Sequence, residues 1–588
     1  MISGSSSVPP LSTPLSPETA ALWRLRQAPQ GAEAALAAGG RFSYLLRRLL
    51  ARRGFTSSAD AENFVLSALS GAHSPLLLSG MDKAVERLVL AWRRGEKVAV
   101  FGDYDVDGVT STVLLVKLFT LLGIAHEAYI PDRSREGYGP NAAAFRALKG
   151  RGAAVVVTVD CGITAVDEAR EARALGLDVI ITDHHLPGPD LPDALAVVNP
   201  QTSPAYPYAM LGGVGVAYKL AQALLQALDH PHAEKFLDHM LELVALGTIC
   251  DVAPLDGENR LLVRAGLGRL RQGRWLGLRS LAEACQVDLR QADAGMVGFQ
   301  LGPRLNAGGR IGDAMLGVRL LLSKEPARSR ALALELESAN RLRKNLEKRV
   351  VDEAMQAAQP LIEKGARSLV LWNPAWHSGV VGLAASRLLE RYQVPAFVFA
   401  VDGETAKGSG RSRRPFNLVE ALRACSAHVL KSGGHEVAAG ATLIVSALPA
   451  FAEAFSRQAQ GLTDEDRRRV IDVDLQIKLS DIENDWMSDL ESFEPHGSKN
   501  PRPLFLARGL TMGTGTRAVG EGGAHLKLEL SQAGASFSGI AFKQGGRLEG
   551  LRGAKSVEAV FHLGWNRWNG VRSIQLEVRD LRPTQEGL

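Results

Sequence analysis

The chain is predicted to be an α/β protein with two α/β domains joined by a long helix and followed by a small β-barrel. Three patterns predict it. Short β-branched runs alternate with amphipathic segments over residues 81–255, a stretch with no Gly and no Pro beyond its first residue, Pro326, occupies 326–359, and short alternating apolar runs separated by Gly-rich turns fill the end of the chain. The 588 residues suggest several folding units at about 150 residues each. A composition of 46% hydrophobic and 22% charged residues excludes general disorder, and a net charge of +5 is too small to name a partner.

Residues 1–45 are expected to be a disordered or poorly packed tail, because their Ser- and Pro-rich start has neither the basic opening nor the apolar run of a secretory signal. Residues 46–325 form the first domain. Within it, 97–101 (KVAVF), 154–159 and 178–182 read as strands buried on both faces, and 109–122, 165–175 and 236–249 as helices. The long uncharged stretch 194–218 is interrupted by Pro200, Pro204 and Pro207, so no membrane span is expected. Cys161, Cys250, Cys285 and Cys425 lie too far apart for a disulfide scaffold or a thiolate zinc site, which fits a reducing, cytoplasmic location. Helical stretches around 261–271 and 278–284 lead to a Gly-rich segment at 302–312.

Residues 326–359 place Leu332, Leu336, Ala339, Leu346, Val350 and Ala357 three and four apart, the spacing of one long helix. Its basic residues Arg341, Arg343, Lys344, Lys348 and Arg349 read as a solvated face. A second α/β domain spans 360–460, with strands at 368–372 and 396–401, a helix at 381–392 and a Gly-rich end at 433–440. In the last domain, 461–588, an acidic stretch precedes short runs at 526–530, 535–542, 556–563 and 573–578. From residue 495 onward thirteen Lys and Arg face seven Asp and Glu, with aromatics interspersed, a composition suited to binding a single strand. Most of those aromatics are expected in the barrel core, with Trp565 and Trp568 as the exposed exceptions.

The chemistry concentrates in residues 102–108 (GDYDVDG), where Asp103, Asp105 and Asp107 alternate between a buried strand and a helix. Carboxylates so close repel one another unless a cation lies between them. Asp160, the run Asp183-His184-His185, and Asp251 each follow an apolar segment, and strand ends of a parallel sheet converge on one edge. Several carboxylates with one or two imidazoles and no thiolate favour Mn²⁺ or Mg²⁺, and a pair of such ions suits hydrolysis at phosphorus.

These four sites resemble, in order and context, the motifs of the DHH phosphoesterases. Residues 304–310 (RLNAGGR), 376–382 (WHSGVVG), 410–412 (GRS) and 433–440 (GGHEVAAG) extend the likeness to that family's bacterial single-strand exonucleases. The resemblance implies a DHH catalytic domain, a smaller DHH-associated nucleic-acid-binding domain and an OB-like barrel. It also implies a nuclease that degrades single-stranded DNA from the 5′ end to mononucleotides in recombination and repair, in contact with single-strand-binding protein and a helicase. It makes Asp105 and Asp107 ligands to separate ions, Asp160 a bridge, and His184 and Asp251 ligands to the second ion, with His185 facing the scissile phosphate. Some smaller relatives carry a histidine where this chain has Phe101, so Asp103 or water is expected to substitute.

Arg133 and Arg304, with Arg310 as a third, are candidates for a terminal phosphate. Asn306, Ser409, Arg411, Ser412, Gly433, Gly434 and His435 are further substrate candidates. Two other readings use the same motifs: a phosphodiesterase acting on short oligoribonucleotides or cyclic dinucleotides, and a non-catalytic single-strand-binding scaffold. The barrel and spacer helix argue against the first, and the complete ligand set against the second.

Overall fold

A computed structural model of the chain describes residues 21–133, 135–568 and 571–584. It forms two compact units, one made of Ser67–Arg467 with Pro495–Asn500, the other of the residues up to Leu66 with Arg468–Glu494 and those from Pro501 onward.

The larger unit contains a parallel five-stranded sheet in the spatial order His126–Tyr129, Lys97–Gly102, Ala153–Val159, Asp178–Thr182, Ala196–Val198. Alternation along the first core strand explains why it is apolar throughout. Val98 and Val100 pack on one side with the helices Val106–Leu122, Gly213–Ala227 and Ala233–Cys250, while Ala99 and Phe101 pack on the other with Phe145 and Leu148. The two edge strands have no apolar run of their own long enough to be read in sequence; pairing with the core strands holds them in place. Since the chain runs from Lys97–Gly102 outward to His126–Tyr129 and back to Ala153–Val159, strand order reverses between the first and third strands. Ligands bind at such a reversal, beyond the carboxyl ends of the strands.

The Gly-rich segment at 302–312, whose composition signals turns, is a helix, Gly302–Ile311, entered through a π-turn at Val297–Leu301. Packing overrides propensity here, because a side chain at Gly309 would strike the Tyr104 carbonyl and one at Gly302 the Cys250 thiol. The long helix runs over Pro326–Glu363, past Pro360 in its last turn. Its basic face is largely self-paired: Arg343 is buried against Asn340 and Glu347, and Arg349 meets Glu353.

The second domain of this unit has a mixed sheet in the order Lys431–His435, Ala438–Ile444, Thr405–Arg411, Ala396–Asp402, Leu369–Asn373, with only the last pair parallel. Phe397, Phe399, Phe451 and Phe455 interlock edge to face beneath it.

In the smaller unit, strands from Leu475 to Pro583 form a seven-stranded sheet, and Phe505–Met512 pairs with both Val557–Trp568 and His525–Gln532. The expected tail needs correction. Residues 1–20 lie outside the described residues, but Leu22–Leu25 pairs in parallel with Val470–Val473, and the helices Ala32–Ala38 and Tyr44–Arg52 cover the barrel. Leu36, Leu45, Leu49 and Leu50 are buried with Phe493, Phe505 and Phe561, which are contacts that composition does not disclose. Trp565 is likewise no free aromatic: Val557–Trp568 is continuous strand, the ring packs against the barrel core, and the Arg572 guanidinium lies 3.6 Å from its centroid. The Trp568 side chain lies outside the described residues.

Candidate metal centre and nucleic-acid interface

The acidic motif bridges the first strand and the helix Val106–Leu122. Asp105 caps that helix, its Oδ1 accepting from the Gly108 amide at 3.1 Å, and Asn306 Oδ1 accepts from the Val106 amide at 3.2 Å. Asp107 points the other way, into the start of the helix Gly213–Ala227, whose Gly213 and Val214 amides donate to its two oxygens at 2.8 Å each. Asp160 follows the third strand in the left-handed region at φ 61°, and Val252, just after Asp251, does the same at φ 62°. Non-glycine residues hold such conformations only where their surroundings impose them.

Asp107, Asp160, His184 and Asp251 converge. His184 Nε2 lies 3.1 Å from Asp160 Oδ1, 3.7 Å from Asp251 Oδ2 and 3.9 Å from Asp107 Oδ2. Three overlapping sets place their donor atoms within 4.8 Å of one another: Asp107, His184 and Asp251; Asp160, His184 and His185; Asp103, Asp105 and Asp160. Asp103 therefore faces the centre, whereas Phe101 is buried and stacked on Tyr129. Asp103 Oδ1, Asp160 Oδ1 and His184 Nε2 are buried without a hydrogen-bond partner. Acceptors left in this state call for cations, and hard carboxylates with one imidazole suit Mn²⁺ or Mg²⁺.

Burial, then the neighbouring carboxylates, pushes Asp107 up to about 7 and raises Asp103, Asp160 and Asp251. Burial and the charge of His185 bring His184 down to about 4, so its imidazole is neutral and ready to ligate. His185 goes the other way. Burial opposes its protonation, but Asp183 outweighs that through a 2.8 Å bond to Nδ1 and raises it to about 9.

Two supports, and the orienting role of Asp183, escaped the sequence reading. Asp183 accepts from the Ile163, His184 and His185 amides as well as the His185 ring, so it orients the histidine pair. Tyr138 brings its hydroxyl within 3.3 Å of both the Asp160 carbonyl and His185 Nδ1. Asn259, fully buried, accepts from the Gly212 amide at 3.2 Å and donates to the Met210 and Pro254 carbonyls at 2.7 and 3.0 Å. It thereby ties the loop that presents amides to Asp107 to the loop that follows Asp251. Only the glycines at 212, 213 and 215, marking a close approach, were visible in the sequence as a signal. Asn259→Ala is expected to weaken Mn²⁺ binding by about 10–100-fold; calorimetric titration of the purified variant checks it, and unchanged affinity would remove the role.

The substrate candidates divide. Arg133, Arg310 and Arg411 lie near enough for their charges to interact: burial, and then the charge of Arg133, lowers both Arg411 and Arg310, the latter to about 10. Arg133 also lies over the Tyr104 ring, 4.9 Å from its centroid. Tyr129, Arg133, Glu136, Gly309, Arg310 and His377 line a cavity of about 420 Å³. Arg304 does not join them, since its guanidinium is held by Glu337 at 2.7 Å and by the Gln300 carbonyl. Ser412 is also committed, as its hydroxyl donates to the Phe416 and Glu436 carbonyls. Asn306 spends its carbonyl oxygen on Val106.

Ser409 and Arg411 face the start of the helix Val381–Tyr392, within 3.3 Å of where a side chain at Gly382 would stand. Gly433, Gly434 and His435 form the exposed strand of a hairpin rather than a turn. A side chain at Gly433 would meet nothing within 4 Å, and His435 is near enough to His184 to oppose its protonation.

Known proteins place this centre in a family. The profile of the DHH family N-terminal domain matches residues 97–248, that of the DHHA1 domain 365–461 and that of the RecJ OB domain 473–580. The single-stranded-DNA-specific exonuclease RecJ of Bacillus subtilis strain 168 is 38% identical, over 95% of this chain and 70% of that protein. The chain belongs to the RecJ family. The crystal structure of RecJ from Thermus thermophilus in complex with Mn²⁺ superposes with a TM-score of 0.83 at 34% identity, covering 96% of this chain and 80% of that one. Its complex with Mg²⁺ gives 0.77 at 32% identity, covering 96% and 79%. The fold assignment of two α/β domains, a long helix and an OB-type barrel stands with these RecJ structures.

Proposed function

We propose that the chain is a metal-dependent exonuclease that hydrolyses single-stranded DNA in the 5′ to 3′ direction to mononucleotides, in recombination and repair. The observation that carries this reading is the gathering of Asp103, Asp105, Asp107, Asp160, His184 and Asp251 at the sheet's switch point beside Arg133, Arg310 and Arg411. Those six residues would hold two ions. In that arrangement Asp105 and Asp107 would hold separate ions, Asp160 would be shared by both, and His184 and Asp251 would complete the second. A divalent pair supplies Lewis acidity, lowering the pKa of water and offsetting charge on the phosphate oxygens.

The chain's own groups do the rest. Asp183 holds His185 by Nδ1, which leaves the other nitrogen of a positively charged ring for the scissile phosphate. Arg133 and Arg310, close enough to repel each other, are relieved by an anion between them, as a terminal phosphate would provide. The open backbone at Gly433 and the imidazole of His435 receive the following nucleotide. Contact with single-strand-binding protein and a helicase, and a place in the cytoplasm, belong to the same reading; among the described residues no helix is long and apolar enough to cross a membrane.

Strands labelled at the 5′ or the 3′ end, incubated with Mn²⁺ or Mg²⁺, test the reading. Immediate release of 5′-labelled mononucleotide with slow shortening of 3′-labelled strands is expected; the reverse order would overturn the direction, and cleavage of a dinucleotide alone would overturn the substrate. Arg133→Ala is expected to erase the preference for 5′-phosphorylated over 5′-hydroxyl ends while leaving Mn²⁺ affinity unchanged. Equal losses on both ends would exclude the pocket.

A further inference from the structure

The first turns of one helix in the smaller unit carry two arginines with no carboxylate partner. The helix Tyr44–Arg52 buries Leu45, Leu46, Leu49 and Leu50 in the barrel core, which fixes Tyr44, Arg47 and Arg48 on the outer side of its first turns. Tyr44 is 63% exposed, and the Arg47 and Arg48 guanidinium carbons stand 5.6 and 5.2 Å from its ring centroid.

Several other arginines of this unit hold carboxylates: Arg24 takes Asp472, Arg53 takes Asp474, Arg502 takes Glu577, Arg547 takes Asp580 and Arg582 takes Glu558. Among the described residues no carboxylate lies within 4.0 Å of Arg47 or Arg48. The helix has no acidic residue in its own first turn, and the Asp489 carboxylate that meets its start is engaged by the Ser43 hydroxyl, so two cations stand near the positive end of its dipole without an ion-pair partner. Two such guanidinium groups flanking an exposed ring suit an external anion.

We propose that Tyr44, Arg47 and Arg48 form a second contact for single-stranded DNA, the ring stacking on a base while the two guanidinium groups hold neighbouring phosphates. The proposal rests on the single-strand reading above. A base with a phosphate on either side uses all three groups at once, whereas an acidic peptide would use the charges and leave the exposed ring idle. All three residues belong to the smaller unit, so the contact adds no group to the chemistry. Rigidity of the helix, set by its buried leucines, limits the ordering cost of binding.

The test is fluorescence anisotropy of labelled dT40 with the full chain in chelator, where nothing is cleaved, across a salt series. R47E/R48E is expected to bind about tenfold more weakly, with a salt slope smaller by about 1.4, the value for two phosphate contacts on a single strand. Tyr44→Ala is expected to lose at least about fivefold, and Tyr44→Phe and R47K/R48K to retain most of the affinity. A far-UV spectrum and a melting curve matching wild type verify that the variants are folded. Wild-type affinity and slope in R47E/R48E would overturn the proposal while leaving the single-strand reading intact. Failure of the wild-type chain to bind dT40 would sink that reading itself. Retained dT40 binding with loss of binding to a poly-glutamate peptide would reassign the patch to a protein partner.

Discussion

Asp160→Ala is expected to lower hydrolysis of single-stranded DNA by roughly 10⁴-fold, as removing one member of an interdependent catalytic set does, while raising the melting temperature of the chelated protein. Both effects have one cause. Asp160 Oδ1 is buried without a hydrogen-bond donor, 3.1 Å from His184, and belongs to two of the three donor sets. With ions bound it would be, with His184, one of the two groups that the donor sets share. Without ions it is a buried acid surrounded by Asp107, Asp105, Asp251 and Asp103, and its removal relieves that repulsion. Steady-state hydrolysis with Mn²⁺ and differential scanning fluorimetry in chelator measure the two effects. Activity within tenfold of wild type would show that the cluster is not the reaction centre, and a lower melting temperature would show that the carboxyl stabilises the fold by some other contact.

Mn²⁺ is expected to stabilise the protein strongly at pH 8 and little at pH 5. The Asp107 carboxyl, taken up to about 7 by burial and then by Asp105, is raised above its unfolded value, as are Asp103, Asp160 and Asp251. A raised carboxyl contributes stability that is fully present below about pH 4 and is lost as pH rises through the folded value, so the chelated protein should melt lower at pH 8 than at pH 5. His185, taken to about 9 against the opposition of burial by its bond to Asp183, adds a loss of the same sign between pH 6.5 and 9.

An ion replaces the protons. Its apparent affinity should therefore rise about tenfold per pH unit up to pH 7 for the proton displaced from Asp107, and more steeply where the other raised carboxyls also release theirs. His184, already brought down to about 4, releases none in that range. Melting curves with Mn²⁺ and with chelator at matched pH give the difference directly. A difference independent of pH would mean that the ions bind away from these carboxylates.

Much of the catalytic domain was legible because its information is local. A β-branched run such as 97–101 is read as a doubly buried strand without knowing its neighbours, and strand ends in a parallel sheet meet at one edge whatever their order. The ligand residues were legible for the same reason: each stands where an apolar element stops. Arg310 was ranked below Arg304, yet it faces Arg133, while Arg304 is tied to Glu337 on the long helix, thirty-three residues away in sequence. Nothing in either arginine's sequence surroundings distinguishes a free guanidinium from a paired one. The glycines of 302–312 misled for a related reason, since they serve close approach to Tyr104 and Cys250 rather than a turn.

By itself, then, the amino-acid order determined the strand and helix pattern, the acidic and imidazole ligand set, and the chemistry that set can support, because each follows from periodicity or residue type within one segment. Tertiary structure alone decided which arginines lie near one another, that Asn259 and the Gly213 and Val214 amides brace the carboxylate cluster, and that residues 22–52 complete the barrel rather than trail from it. The physical reason is that burial, pairing and field are properties of neighbours in space, and those neighbours lie scores to hundreds of residues apart along the chain.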